Sequence, residues 1–186
     1  MYPWTHHPDA IDGISVNEAV TELSPLMSNN ATRKSCVFTS DVEKAQKFLR
    51  SYGGMHFYTW NVSGLTSEIK RRVEEAFRTQ FDYVLVHIYE TGNANINWHN
   101  DKESLFEEIV SVSLGASRKF RLRPLGQTSG WTAEYELGNG DVFHMHAGCQ
   151  QCWEHTVPKE TKVKQPRVNF TFRKFDALAL VHNALQ

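Results

Sequence analysis

The sequence predicts an α+β fold: a double-stranded β-helix (jelly roll) core with N-terminal helices packed on one of its sheets. Three observations predict it. Helical periodicity is confined to the first part of the chain, from about 83 onward the pattern turns to short β-branched and aromatic runs, and turn residues separate those runs.

Taken in order, residues 1–35 read as peripheral. Tyr2 to Asp12 shows no period, and Ser15 with Glu18 forms a capping box that opens a short helix toward Met27. Asn29, Asn30 and Thr32 read as loop. Ser40 and Glu43 make a second capping box, for a helix reaching Tyr52 and stopping at Gly53-Gly54. His56 to Trp60 is an aromatic cluster of strand composition. Thr66 to Arg78 is helical, with Ile69, Val73, Ala76 and Phe77 as its buried stripe. Strands follow at Tyr83–Tyr89, Ile109–Leu114, Lys119–Arg123, Thr132–Leu137, Val142–Met145 and Arg167–Phe172, with turn signals at Gly126 and Asn139-Gly140.

The chain of 186 residues suits one domain, 1–186. Hydrophobic residues make up 40% and charged residues 22%, so an ordinary core forms without staples. The formal net charge is −1, which excludes a strongly basic nucleic-acid binder. Nucleic-acid contact must then come from a local patch, either Arg118, Lys119, Arg121 and Arg123 or the run Lys159, Lys162, Lys164 and Arg167. Solvated strand and loop charge is the plain alternative. Three cysteines and no secretory signal argue for an intracellular protein, cytoplasmic or nuclear and not secreted. Cys149-x-x-Cys152 is half a zinc or redox pattern without a second half. No apolar run approaches the roughly 20 residues that cross a bilayer, so no membrane partner is expected.

His99-Asn100-Asp101 is the sharpest motif. In extended chain, residues two apart share a face, so His99 and Asp101 supply two-thirds of a 2-His-1-carboxylate facial triad. Such a triad leaves metal positions open for small co-substrates. The third ligand is a distant histidine on the facing sheet: His155, or one of the pair His144 and His146. A second pattern lies at Arg167-Val168-Asn169-Phe170-Thr171-Phe172-Arg173, where two Arg, an amide and a hydroxyl share one face. These are donors suited to a dicarboxylate, since a guanidinium pairs a carboxylate through parallel hydrogen bonds. The two Arg lie about 20 Å apart along a strand, so one would take the far carboxylate and the other the end near the metal. A solvated edge strand is the alternative.

Together these blocks resemble the AlkB family of 2-oxoglutarate- and Fe(II)-dependent nucleic-acid dealkylases. The resemblance rests on Tyr89-Glu90-Thr91-Gly92 and Trp98-His99-Asn100-Asp101-Lys102-Glu103. It rests further on Gly140-Asp141-Val142-Phe143 with Gln150 to Lys159, and on the R-x-N-x-T-F-R signature at Arg167–Arg173. The resemblance spans 55–175 and leaves 1–54 as an N-terminal extension or lid. It implies Fe(II) held by His99, Asp101 and His155, with 2-oxoglutarate and O₂ as co-substrates. It implies 2-oxoglutarate contacts from Tyr89, Arg167, Asn169 and Arg173, and base contacts from Glu103, Tyr58, Trp60 and Trp98. The implied partner is alkylated single-stranded DNA or RNA, and the chain is expected to act as a monomer. The implied activity removes N-alkyl groups from bases such as 1-methyladenine and 3-methylcytosine, releasing formaldehyde, succinate and CO₂. One position departs: the family usually has Asn two residues before the tyrosine, and here it is His87, a ring that donates a hydrogen bond and brings its own pH dependence.

Overall fold

The computed structural model describes residues 1–29, 33–50 and 53–185. Its strands are β1 (Trp4–His7), β2 (Ser28–Asn29), β3 (Lys34–Thr39), β4 (His56–Thr59), β5 (Tyr83–Tyr89) and β6 (Ile96–His99). They continue as β7 (Ile109–Gly115), β8 (Arg118–Pro124), β9 (Ala133–Leu137), β10 (Val142–Met145), β11 (Trp153–Val157) and β12 (Arg167–Arg173). The helices are α1 (Val16–Leu23), α2 (Val42–Phe48), α3 (Gly64–Phe77), the single turn α4 (Cys149–Cys152) and α5 (Ala177–Ala184).

The major sheet runs β1-β10-β7-β12-β5-β3-β2, with β4 added in parallel to β3. The minor sheet runs β6-β11-β8-β9. Side chains of both sheets meet between them: Trp4, Tyr89, Ile109 and Phe143 from the major sheet pack with Phe120, Leu122 and Val157 from the minor one. On the other face of the major sheet, Val84, Val86, Val112, Phe170 and Phe172 pack with Ala19 and Leu23 of α1 and with Ile69 and Val73 of α3. The expected architecture is present: a double-sheet jelly roll with N-terminal helices on one sheet.

This layering explains β12. The strand pairs with β5 on one side and β7 on the other, and all seven of its residues are buried. The edge-strand alternative is therefore wrong. Val168, Phe170 and Phe172 point to the helices, and the alternate residues point between the sheets.

Several boundaries differ from the sequence reading. Trp4–His7 is a strand, added to the sheet edge by pairing with β10; four residues are too few to show a period. Lys34–Thr39 is a strand as well, buried on both faces between sheet neighbours and so without alternation. The helix at 42 is capped by Asp41, whose carboxylate accepts from Lys44 N at 2.9 Å, and it ends at Phe48. Ser40 does not form the expected box. Ser15 does cap α1, accepting from Asn17 N at 3.2 Å. The helix of residues 64–77 starts at Gly64 behind Ser63, and its buried stripe is Thr66, Ile69 and Val73; Ala76 is exposed. Asn29 lies in β2, whereas Asn30, Thr32 and the expected helix end at Tyr52 lie outside the described residues.

Gly92 fixes the loop after β5. Its N–H donates to Val163 O at 2.9 Å and its carbonyl accepts from Glu160 N at 2.8 Å, so the two loops are laced together. A Cβ here would collide with the Glu160 carbonyl.

Candidate active site

β6 and β11 are adjacent antiparallel strands, and His99 stands in register opposite His155. Their ring centroids are 4.3 Å apart. Asp101 follows two residues on, and one ligand atom from each of the three lies within 4.8 Å of the others. His99 Nδ1 is 2.8 Å from the Asn97 carbonyl, which can only accept, so Nδ1 carries the proton and Nε2 is left as a ligand atom. Asp101 is oriented from two sides: its N–H donates to Gln150 Oε1 at 2.9 Å, and its Oδ1 accepts from Arg173 Nη2 at 2.8 Å. Its other oxygen, Oδ2, is buried with no hydrogen-bond partner among the described residues and lies 3.6 Å from His155 Nε2.

The electrostatics set the protonation states that ligation needs. Burial alone would raise the Asp101 pKa, but Arg173, His155 and His99 outweigh it and bring it to about 2. Burial first, then the neighbouring His99, pushes His155 down to about 3. Near neutral pH the group is therefore one carboxylate and a neutral buried imidazole, which fits a divalent cation bound by two nitrogens and an oxygen.

His144 and His146, the rival ligands, are elsewhere. His144 Nε2 bonds Glu108 at 2.8 Å and His146 Nε2 bonds Thr5 Oγ1 at 3.0 Å. Cys149 is buried and Cys152 exposed on the single turn α4, both free, and no further cysteine stands beside them.

The inner pocket is a cleft of about 430 Å³ including its open mouth, and it joins the triad to the polar face of β12. Ile96, Phe120, Met145 and Val157 form its apolar wall. Arg167 is 2% exposed. Its Nη2 donates to Ser113 Oγ at 2.9 Å, while Nε and Nη1 are buried with no hydrogen-bond partner among the described residues. The Tyr89 ring centre lies 5.1 Å from its guanidinium carbon. Buried N–H groups on a charged guanidinium are costly to leave unmet, so this end of the cleft fits a carboxylate. Asn169 lies in the same row, but its Nδ2 donates to Ser111 Oγ and the Val112 carbonyl, and its Oδ1 accepts from Thr171. It shapes the wall and reaches the cleft only with atoms already engaged. His87 lies beside it in register, and burial, then Arg33 and Arg173, hold its pKa well below the usual histidine range. Burial thus favours the neutral imidazole at His87 and moves its protonation to the acid side of the usual histidine range.

An outer pocket shares His87, His99, Asp101 and Arg173 and opens past Trp98, Asn97 and Arg33. Arg33 was not singled out by the sequence, because it precedes a strand with no alternation to announce it. Trp98 stacks on Arg123, whose guanidinium carbon is 4.0 Å from the ring centre. Glu103 does not continue the strand past Asp101: residues 102–104 form a 3₁₀ turn, so the shared-face argument for Glu103 fails. Tyr58 and Trp60 line neither pocket. Tyr58 donates its hydroxyl to the Leu26 carbonyl at 2.8 Å, and both rings pack on the helix-side core.

The basic strand is not a free patch. Arg118 is buried and paired with Glu160, Arg121 with Glu134 and Arg123 with Glu154. Among the described residues, no helix is long and apolar enough to cross a membrane.

Comparison with known proteins gives the chain a family. The sequence model of the 2OG-Fe(II) oxygenase superfamily matches residues 19–173. Alpha-ketoglutarate-dependent dioxygenase alkB homolog 3 of Homo sapiens is 29% identical over 181 residues, covering 86% of this chain and 63% of that protein. DNA oxidative demethylase ALKBH2 of Bos taurus is 33% identical over 135 residues, covering 62% of this chain and 49% of that protein. The chain thus spans less than two thirds of the length of these relatives. The structure of OsALKBH1 superposes with a TM-score of 0.68 at 16% identity, covering 94% of this chain and 97% of the other; at that identity the likeness concerns the fold. Family membership carries Fe(II) as the metal, with 2-oxoglutarate and O₂ as co-substrates. With a superfamily match across most of its length and alkB homologues among its relatives, the chain belongs to the AlkB family of 2OG-Fe(II) oxygenases.

Proposed function

We propose that this chain is an Fe(II)- and 2-oxoglutarate-dependent dioxygenase that dealkylates N-alkylated bases, such as 1-methyladenine and 3-methylcytosine, in single-stranded DNA or RNA. The observation that carries the reading is the cleft that His99, Asp101 and His155 line together with Arg167 and the donors it leaves unpaired among the described residues. A relative whose name is DNA oxidative demethylase supports the nucleic-acid substrate.

His99, Asp101 and His155 would hold Fe(II), which with 2-oxoglutarate and O₂ supplies oxidation of the alkyl carbon. Arg167 receives the far carboxylate of 2-oxoglutarate, with Tyr89 beside it. Arg173 orients Asp101 and faces the near end. Asn169 braces the floor between them. The apolar wall of Ile96, Phe120, Met145 and Val157 keeps water from the reacting carbon. Trp98 and Arg33 flank the outer pocket, where a base that has left its stack would enter. Glu103, Tyr58 and Trp60 contact the substrate strand only if it extends beyond this pocket. The hydroxylated alkyl group leaves as formaldehyde, and the co-substrate as succinate and CO₂.

One chain supplies all three ligands and both arginines, which supports a monomer with its site within one domain, 1–186. Arg33 at the outer pocket supports a covering role for part of residues 1–54. A second reading, oxidation of a protein or small molecule, is favoured by the ion-paired state of the basic strand.

The test is release of succinate and formaldehyde from a 1-methyladenine oligonucleotide, with Asp101→Ala as control. Both products from the wild type alone support the proposal. Succinate without formaldehyde on any methylated oligonucleotide sinks the substrate and favours the second reading.

A further inference from the structure

Ser35 on β3 and His87 on β5 are register partners, and Ser35 Oγ stands 2.7 Å from His87 Nδ1. Ser35 is fully buried and His87 is 6% exposed. A buried hydroxyl hydrogen needs an acceptor. Among the described residues, His87 Nδ1 is the one that the Ser35 side chain reaches. If Nδ1 carried the ring proton, the serine hydrogen would have nowhere to go. With the hydroxyl donating, Nδ1 is the bare nitrogen, and the proton of the neutral ring sits on Nε2. Neutrality follows from burial together with Arg33 and Arg173 nearby. Nε2 has no protein partner among the described residues, and the ring lines both pockets.

We infer that Ser35 is a positioning residue that fixes His87 as its Nε2–H tautomer, so that this N–H is donated to a carboxylate oxygen of 2-oxoglutarate. The ligand's identity rests on the function proposed above. The opposite tautomer would aim a lone pair at a carboxylate, acceptor against acceptor. An asparagine at this place would have its donor and acceptor on fixed atoms. An imidazole has two interchangeable nitrogens and requires a neighbour to choose between them, and Ser35 is that neighbour. The choice is made from the residue two past Arg33, on a strand that belongs to neither motif.

Two measurements test this on the full chain. Nitrogen NMR of the zinc-loaded protein reads the His87 tautomer directly and needs no variant; a proton on Nε2 is expected, and one on Nδ1 overturns the inference. Calorimetric titration of the manganese-loaded chain with 2-oxoglutarate reads affinity without turnover. Ser35→Ala is expected to weaken binding about 3- to 10-fold, the effect of one neutral hydrogen bond. Ser35→Thr, which keeps the hydroxyl, is expected to restore it, and in a His87→Asn background Ser35→Ala is expected to change nothing. An equal loss in both backgrounds overturns the role of Ser35 while leaving the proposed function intact. No binding of 2-oxoglutarate by the wild type overturns both.

Discussion

Replacing Asp101 by alanine removes the only carboxylate of the triad and leaves Arg173 beside an apolar stub. Metal titration is expected to show loss of stoichiometric Fe(II) binding, with succinate release at background; retained tight binding would mean that the metal sits elsewhere. Arg167→Lys keeps the charge but loses the planar guanidinium that faces the cleft, so the KM for 2-oxoglutarate is expected to rise by about 10-fold or more. A variant with unchanged KM would place the far carboxylate on another side chain. His87 adds a pH signature. Its folded pKa lies well below the usual 6.5, chiefly through burial, so the folded state disfavours its protonation. That stabilisation is fully present above about pH 6.5 and is lost as the pH falls below it. Urea midpoints measured from pH 7.5 downward are expected to fall, and less steeply for His87→Asn. His155, lowered to about 3, preserves part of the decline in either protein. His99 with Asp101, and Arg167 with Asn169 and Arg173, were legible in sequence because alternate residues of a strand share a face, whereas His155 and His87 were singled out only through the family resemblance. Ser35 and Arg33 were not: their significance comes from pairing across a sheet, which no local pattern records.

At the scale of elements, β12 is the part on which the rest depends. Phe170 is fully buried between α1, α3 and the flanking strands, so Phe170→Ala is expected to cost about 3–5 kcal/mol, read from denaturant midpoints. A loss below about 1 kcal/mol would mean that this face is not the packed one. The unbroken alternation of β12 was plain in the sequence, yet the same alternation describes an edge strand with one wet face. Only pairing on both sides by β5 and β7 decides the matter. Trp4–His7 and Lys34–Thr39 escaped notice for opposite reasons, one too short to be periodic and the other buried throughout. The strands at 83–89 and 142–145 were legible to the residue because turn signals or charged residues bound them on both sides.

For the whole molecule, ligands that bind only the folded cleft add to its stability by mass action. Chelation followed by Mn(II) with saturating 2-oxoglutarate is expected to raise the melting temperature. At a hundred times Kd the gain is about 2.7 kcal/mol. The same additions to a His99→Ala, Asp101→Ala double variant are expected to leave its melting temperature unmoved, and an equal shift in both would place binding outside this centre. The fold class was readable from the order of helical and strand segments. The closure of the strands into two facing layers was inferred from their number, and the pairing order came only from the coordinates.

The two sheets also divide the chemistry between them. The histidines of the triad ride on the minor sheet, at β6 and β11, with Asp101 just past the end of β6, whereas the proposed 2-oxoglutarate cradle rides on the major sheet, at β12 and β5. The gap between oxidant and fuel is therefore a packing dimension, set by residues such as Phe120 and Phe143, whose ring centres lie 4.9 Å apart across the sandwich. A smaller side chain at either place leaves every reactive group present and mis-spaces the two halves. Such an enzyme would idle, burning its co-substrate without oxidising its substrate.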